Sequence, residues 1–340
     1  MKKFSLLLVL IMIIFLSSSQ QSNYKIVVTA LYNCEYFTDT IQKFFGDNGS
    51  KRMYTSDRYK EKLNNITTAI ASIGKNETKD GAALLGVAEV GSRWVLDDIV
   101  HHPLLKSKNY RYVFGIKKDN KNIDVALIYN PAYFSVEETK TLYANVKLNE
   151  KFYVNNILYV KGKLDDEVVH VYVNRWTWRT TDKQNNAAAR WKAAMVCRNH
   201  IDSILNDDST AKILLLGTFN DEPADYSLTE ILKANDEVKN INRVEFYNPW
   251  NYFKKNVKIG STLFNSQWAM FDQVILSKSF LDKQQNGWFY YQSKILNEDF
   301  LCEKKGNYAG FPSPTWIGNE YHGGTSSHFP VYISLLKKML

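Results

Sequence analysis

Long apolar runs, closed by polar residues, recur along the chain. Residues 25–33 (KIVVTALYN) form a near-continuous β-branched and apolar stretch, and residues 83–90, 124–130, 168–176 and 213–220 repeat the type. Runs without polar alternation belong to strands buried on both faces, which predicts sheet covered by helices. Residues 157–160 and 268–277 are further strand candidates. Helical periodicity lies between these runs. Ser56 caps a predicted helix to about Ile73, with Leu63, Ile66, Ala69, Ile70 and Ile73 on one face and Gly74 as its stop. A second helix is predicted over residues 186–205, with Ala189, Ala193, Val196, Ile201 and Leu205 inward and Arg190, Lys192 and Arg198 outward. Residues 227–233 read as a short third. The last third is rich in Gly, Pro and aromatics, the signature of strands joined by long loops. There is no internal repeat and no Pro- or Ser-rich linker beyond the leader. One α/β domain of layered sheets with outer helices accounts for the whole pattern.

Composition narrows this further. The chain has 340 residues, 45% hydrophobic and 23% charged, which excludes a mostly disordered chain, a collagen-like repeat and a polytopic membrane protein. Lys2 and Lys3 precede an apolar run from Phe4 to Leu16, followed by Ser17, Ser18, Ser19 and Gln20. A basic start, an apolar centre and small residues at the end read as a signal peptide over residues 1–20, and hence an exported protein. The run is shorter than the roughly 18 residues a spanning helix needs, so no transmembrane segment is expected in the mature chain, residues 21–340. The net charge is +8, and removing the two leader lysines leaves the chain mildly basic. That is compatible with an anionic ligand and too weak to establish one. Cys34, Cys197 and Cys302 do not make a disulfide framework; one bridge of unreadable pairing is open, and buried free thiols are the simpler reading. His101 and His102 form a pair, but neighbours at a helix end point different ways, so a capping role fits better than a metal site.

Several polar residues stand where the buried strands end: Asn33, Glu89, Asn174-Arg175-Trp176 and Thr218-Phe219-Asn220. The carboxyl ends of strands are where α/β proteins place ligand sites. Six motifs, in order, carry a resemblance. They are Leu31-Tyr32-Asn33-Cys34-Glu35, Gly86-Val87-Ala88-Glu89-Val90, the strand 124–129, Leu216-Gly217-Thr218-Phe219-Asn220-Asp221-Glu222-Pro223, Phe271-Asp272-Gln273-Val274, and Gly323-Gly324-Thr325-Ser326-Ser327-His328-Phe329-Pro330-Val331. The chain resembles the endonuclease/exonuclease/phosphatase superfamily, with its deoxyribonuclease-I-like fold, and within it the exported bacterial branch. The resemblance covers residues 24–335. It implies a four-layer α/β sandwich, two mixed β-sheets flanked by helices, with Asn33, Glu89, Asn220, Asp272 and His328 at family site positions. It implies hydrolysis of a phosphate ester by water with Mg²⁺ or Mn²⁺, Glu89 being the metal ligand. It also implies that a buried Asp holds the final His, which helps to stabilise the pentavalent state and manage protons.

Three positions depart from the family pattern. Arg175 stands for the His of Asn-His-Trp, Thr218 for the Asp of Gly-Asp-Phe-Asn, and Ser327 for the Asp of Ser-Asp-His. Thr218 has no charge with which to act as a base. Ser327 is a weaker Mg²⁺ ligand than a carboxylate. Arg175 binds oxyanions but cannot shuttle protons. Losing one catalytic group commonly costs about 10² to 10⁴-fold in rate. The sequence thus points to a catalytically degenerate family member that keeps an anion or phosphoester pocket, with nucleic acid among the candidate ligands and no metal held if the depleted site is too weak. The alternative is an active metal-dependent phosphodiesterase or nuclease using Glu89, Asn220, Asp272 and His328. Two readings of Arg175 stay open: it meets an anion, or it pairs with Glu89. Asp221 and Glu222 are expected to fix their loop. Trp176, Trp178 and Trp191 are expected as core or rim aromatics, with stacking on a base or sugar as the other reading. No feature names a protein partner.

Overall fold

The apolar runs become the inner strands of two sheets laid face to face. A computed structural model describes residues 23–40, 44–45, 51–116, 123–148, 151–179, 183–237, 242, 245–284 and 286–339. The expected signal peptide over residues 1–20 lies outside the described residues. The elements along the chain are β1 (Tyr24–Phe37), α1 (Ser56–Ser72), β2 (Ala82–Val90), α2 (Arg93–His101), β3 (Arg111–Ile116), β4 (Ile123–Tyr129), β5 (Phe134–Leu148) and β6 (Lys151–Leu164). They continue with β7 (Glu167–Arg175), α3 (Lys183–Asp207), β8 (Lys212–Thr218), β9 (Ala234–Asn235), β10 (Phe246–Tyr247), β11 (Asp272–Ser277), β12 (Phe289–Ile295) and β13 (Val331–Lys338).

One sheet has the order β12-β13-β1-β2-β4-β3 and the other β9-β10-β11-β8-β7-β6-β5. Both are mixed: β1 and β2 run parallel, as do β7 and β8, while β8 and β11 are antiparallel. Period-2 alternation then divides each inner strand between two cores. Leu31, Val173, Leu214, Leu216, Val274 and Ile333 fill the space between the sheets. Val28, Ala30, Tyr32, Ile66, Ile70 and Ile99 form a second core under α1 and α2. Tyr172, Ile213, Leu215, Ala193, Cys197 and Ile201 form a third under α3. The result is helix, sheet, sheet, helix. No helix among the described residues is long and apolar enough to cross a membrane.

Local chemistry places the boundaries. The N-cap of α1 is Thr55, one residue before the expected Ser56, and its side chain accepts the Arg58 N–H at 3.4 Å. Gly74 follows the helix with φ +67°, and a Cβ there would lie 2.7 Å from Val28 Cγ2, so the turn needs a glycine. The expected outward face of α3 is different. Arg190 and Arg198 are buried, because Asp221 and Asp202 neutralise them and Arg198 stacks over Phe246. Residues 268–277 are not one strand: a short strand Gln267–Ala269 precedes β11. The expected third helix shrinks to one wide turn, Ser227–Ile231. The candidate at 157–160 is the middle of a hairpin formed by β5 and β6.

Gly86 on β2 lets the sheets approach closely, since an added Cβ there would meet Leu216 Cβ at 3.2 Å. Leu216→Ala is expected to lower the unfolding free energy by about 2–5 kcal/mol, because such closely packed sheets collapse poorly onto a cavity. Urea titration checks this, with the midpoint falling at an unchanged slope.

Candidate functional site

The site is assembled by register. Across β7, β8 and β11, Arg175 pairs with Thr218 and Thr218 pairs with Asp272, so three residues stand in one row. Residues in one row of adjacent strands project to one face. Asn33 reaches this row from the other sheet, its Nδ2 donating to Thr218 Oγ1 at 3.2 Å. Thr218 in turn donates to Asp272 Oδ1 at 2.6 Å. Asp272 Oδ2 accepts the Ser261 hydroxyl and meets His328 Nδ1, both at 2.6 Å. Asn33, Thr218 and Asp272 are buried, so this relay forms the floor behind the site.

Backbone strain marks the surrounding loops. Glu35, Tyr36, Glu89 and Asn220 all have positive φ, between 49° and 60°. Non-glycine residues in this region cost about 1–2 kcal/mol each, and such residues cluster where side chains must be aimed. The register of β1 against β2 breaks between Asn33 and Phe37, which turns Glu35 and Tyr36 out of the strand pattern. Glu35 receives the Thr315 and Ser327 N–H groups on Oε2 at 2.8 and 2.7 Å, and that of Trp316 on Oε1 at 3.3 Å. Buried Lys62 lies below, donating to Thr315 Oγ1 at 2.5 Å and to the Thr325 carbonyl at 2.6 Å. Burial pushes its pKa down to about 8 against the pull of Glu35.

Arg175 pairs with Glu89. Its Nε and Nη2 lie 3.3 and 3.2 Å from Glu89 Oε1, and Nη2 also donates to the Tyr36 hydroxyl at 3.2 Å. Asp124 Oδ1 stands 4.0 Å from Nε, so the guanidinium sits between two carboxylates. Burial alone depresses the Arg175 pKa, but Glu89 and Asp124 more than offset that, and the net shift is upward. Glu89 Oε2 accepts the Tyr36 N–H at 3.3 Å. Mg²⁺ takes near-octahedral oxygen ligands, with one or two free carboxylates as its usual protein anchors. Here a fixed cation flanks Glu89, the family metal ligand that this chain keeps. Among the described residues no group of three or more His, Cys, Asp or Glu side chains could hold a metal. With Glu89 Oε1 committed to Arg175, the remaining donors fit a divalent cation poorly.

A pocket of about 300 Å³ opens above the relay, lined by Glu89, Asn220, Ser327 and His328 together with Glu35 and Arg52. Asn220 donates to the Trp176 carbonyl at 2.8 Å. Ser327 contributes its backbone, its carbonyl accepting from Thr262 at 2.7 Å. A cavity of about 800 Å³ adjoins it, and the two share Trp178, Phe264 and Asn265. Trp178 and Trp191 are exposed at its rim, whereas Trp176 is core. Asp221 holds Arg179 at 2.8 Å and Ser227 at 2.6 Å, and Glu222 accepts the Met270 N–H at 3.2 Å, so both fasten the loop. His101 and His102 bond to the Asp97 carbonyl and to Asn64, at 2.8 and 2.9 Å. The three cysteines are free, with Cys34 and Cys197 buried. Sequence reasoning did not single out Tyr36, Arg52, Lys62, Asp124 or Ser261. A lysine on the otherwise apolar face of α1 was the available signal for Lys62; the Lys51-Arg52 pair carried none for Arg52.

The comparisons with known proteins agree with this architecture. The chain belongs to the Endonuclease/Exonuclease/phosphatase family, whose model matches residues 27–337. The fold is similar to that of a Bacteroides thetaiotaomicron mannosyl-6-phosphatase, at TM-score 0.58 and 14% identity, covering 91% of this chain and 99% of that one. It is similar to D. rerio TDP2 complexed with single-strand DNA product, at TM-score 0.55 and 10% identity, covering 92% and 99%. It is also similar to the human Nocturnin catalytic domain with bound sulfate anion, at TM-score 0.53 and 11% identity, covering 92% and 96%. No curated protein matches the chain in sequence.

Two outcomes follow from these charges. Arg175→Met removes the cation from Glu89 and is expected to cost about 3–5 kcal/mol of stability. Adding Glu89→Gln should recover part of that loss in a double-mutant cycle, and full additivity would contradict the pairing. Burial lowers the His328 pKa, but Asp272 raises it by charge and hydrogen bond, with help from Glu89 and Glu35, and the net shift is up. The stability from this raised histidine is complete below about pH 6.5, the ordinary imidazole value, and is lost as pH rises through the folded value. The stability gap between the natural chain and Asp272→Asn should therefore narrow as pH rises. A gap independent of pH would count against the ion pair.

Proposed function

We propose that this family member binds a phosphate-containing ligand and does not hydrolyse it by the family's metal-dependent route. The observation that carries the proposal is the Glu89 carboxylate held 3.2 Å from the Arg175 guanidinium. A carboxylate engaged by a fixed cation offers little to a divalent metal. The Thr218 hydroxyl is spent between Asn33 and Asp272 and has no charge with which to activate water. Ser327 brings no carboxylate to the pocket.

Ligand binding is supported by the remaining lining. His328 holds a proton more firmly than a free imidazole because Asp272 is behind it. With Nδ1 committed to Asp272, Nε2 is the nitrogen a ligand meets. Asn220 lies on the same wall. Proteins of similar fold include a mannosyl-6-phosphatase, a TDP2 bound to a DNA product and a Nocturnin domain bound to sulfate, which supports an oxyanion as the ligand class.

The test is hydrolysis of DNA, RNA and a chromogenic phosphodiester with Mg²⁺ or Mn²⁺. The natural chain is expected to be silent. The triple change Arg175→His, Thr218→Asp, Ser327→Asp is expected to gain metal-dependent turnover. Turnover by the natural chain well above a Glu89→Ala control overturns the proposal and favours an active phosphodiesterase using Glu89, Asn220, Asp272 and His328.

A further inference from the structure

Resting on that reading, we propose that Arg52 is the residue that anchors the oxyanion, taking over the charge that Arg175 spends on Glu89. Arg52 lies in a two-residue strand, Lys51–Arg52, beside the pocket it lines. It is 6% exposed. Its Nη2 donates to the Gly318 carbonyl, and its guanidinium sits 5.8 Å from the centre of the Trp316 ring. Its Nε is buried and has no hydrogen-bond partner. No carboxylate among the described residues forms an ion pair with it. A buried guanidinium without a counter-ion is costly, because desolvation is not repaid by Coulomb attraction.

The two carboxylates that line the pocket make no ion pair with Arg52. Glu35 is engaged by three backbone N–H groups and Glu89 by Arg175 and the Tyr36 N–H. The pocket wall therefore carries a guanidinium that has no ion-pair partner among the described residues, with His328 and Glu35 also lining it. A guanidinium is the side chain best shaped for a phosphate, since two of its N–H groups meet two oxygens at once. The ligand class is a phosphate or phosphate monoester group small enough for about 300 Å³.

Calorimetric titration with inorganic phosphate and with phenyl phosphate tests the assignment. Arg52→Met is expected to weaken binding of both probes at least about tenfold, the loss of a charge-assisted bidentate contact. Arg58→Met removes a guanidinium that stacks on the same Trp316 ring from outside the pocket and should leave affinity unchanged. Arg52→Met should melt no lower than the natural chain without phosphate, because an apolar stem replaces an unmatched buried charge. Phosphate should raise the melting temperature of the natural chain and not that of Arg52→Met. Should Arg52→Met fail to fold, Arg52→Lys carries the test: it keeps the charge, loses the fork, and is expected to bind phosphate more weakly. Natural affinity in Arg52→Met, or in Arg52→Lys where that variant is the one used, overturns the assignment to Arg52 alone. A natural chain that binds neither probe overturns the ligand-binding reading itself.

Discussion

A guanidinium buried between two carboxylates holds the mouth of this molecule together. Arg175 comes from one sheet, and Glu89 and Asp124 come from the other. None of the three tolerates burial alone, and together they compensate one another. The interaction joins the two sheets at the edge where their apolar core ends. It also sets the charge of the pocket, because it occupies the carboxylate that would otherwise meet a metal.

Behind this pair the polar groups are matched with little left over. Asp272 receives three partners, and Thr218 bridges it to Asn33 on the opposite sheet. Such a network rigidifies a site only when every member is satisfied. The positive backbone angles at Glu35, Tyr36, Glu89 and Asn220 are held in place by these contacts. Against that order, the buried Nε of Arg52 stands out as a group with no hydrogen-bond partner among the described residues.

Much of the fold was legible because burial on two faces leaves a long apolar run. The inner strands β1, β2, β4, β7 and β8 all carry such runs. The hairpin of β5 and β6 was read only at residues 157–160, since its outer strand lies at a sheet edge and alternates with polar residues. Arg190 and Arg198 were read as outward because helical period alone cannot reveal a distant aspartate. The split of residues 268–277 was hidden for a similar reason: the break at residues 270–271 lies inside an apolar stretch.

The sequence by itself determined the family motifs, the layered architecture and the three departures at Arg175, Thr218 and Ser327. These follow from residue type and order, which need no coordinates. Only the tertiary structure decided how the charges are shared. Glu89 and Arg175 are far apart in the chain, and whether the arginine meets a ligand or a carboxylate depends on which strands face each other. The same holds for Arg52, which folding buries without an ion-pair partner among the described residues. Pairing energies of buried ions are set by distance and dielectric, and both are properties of the packed chain.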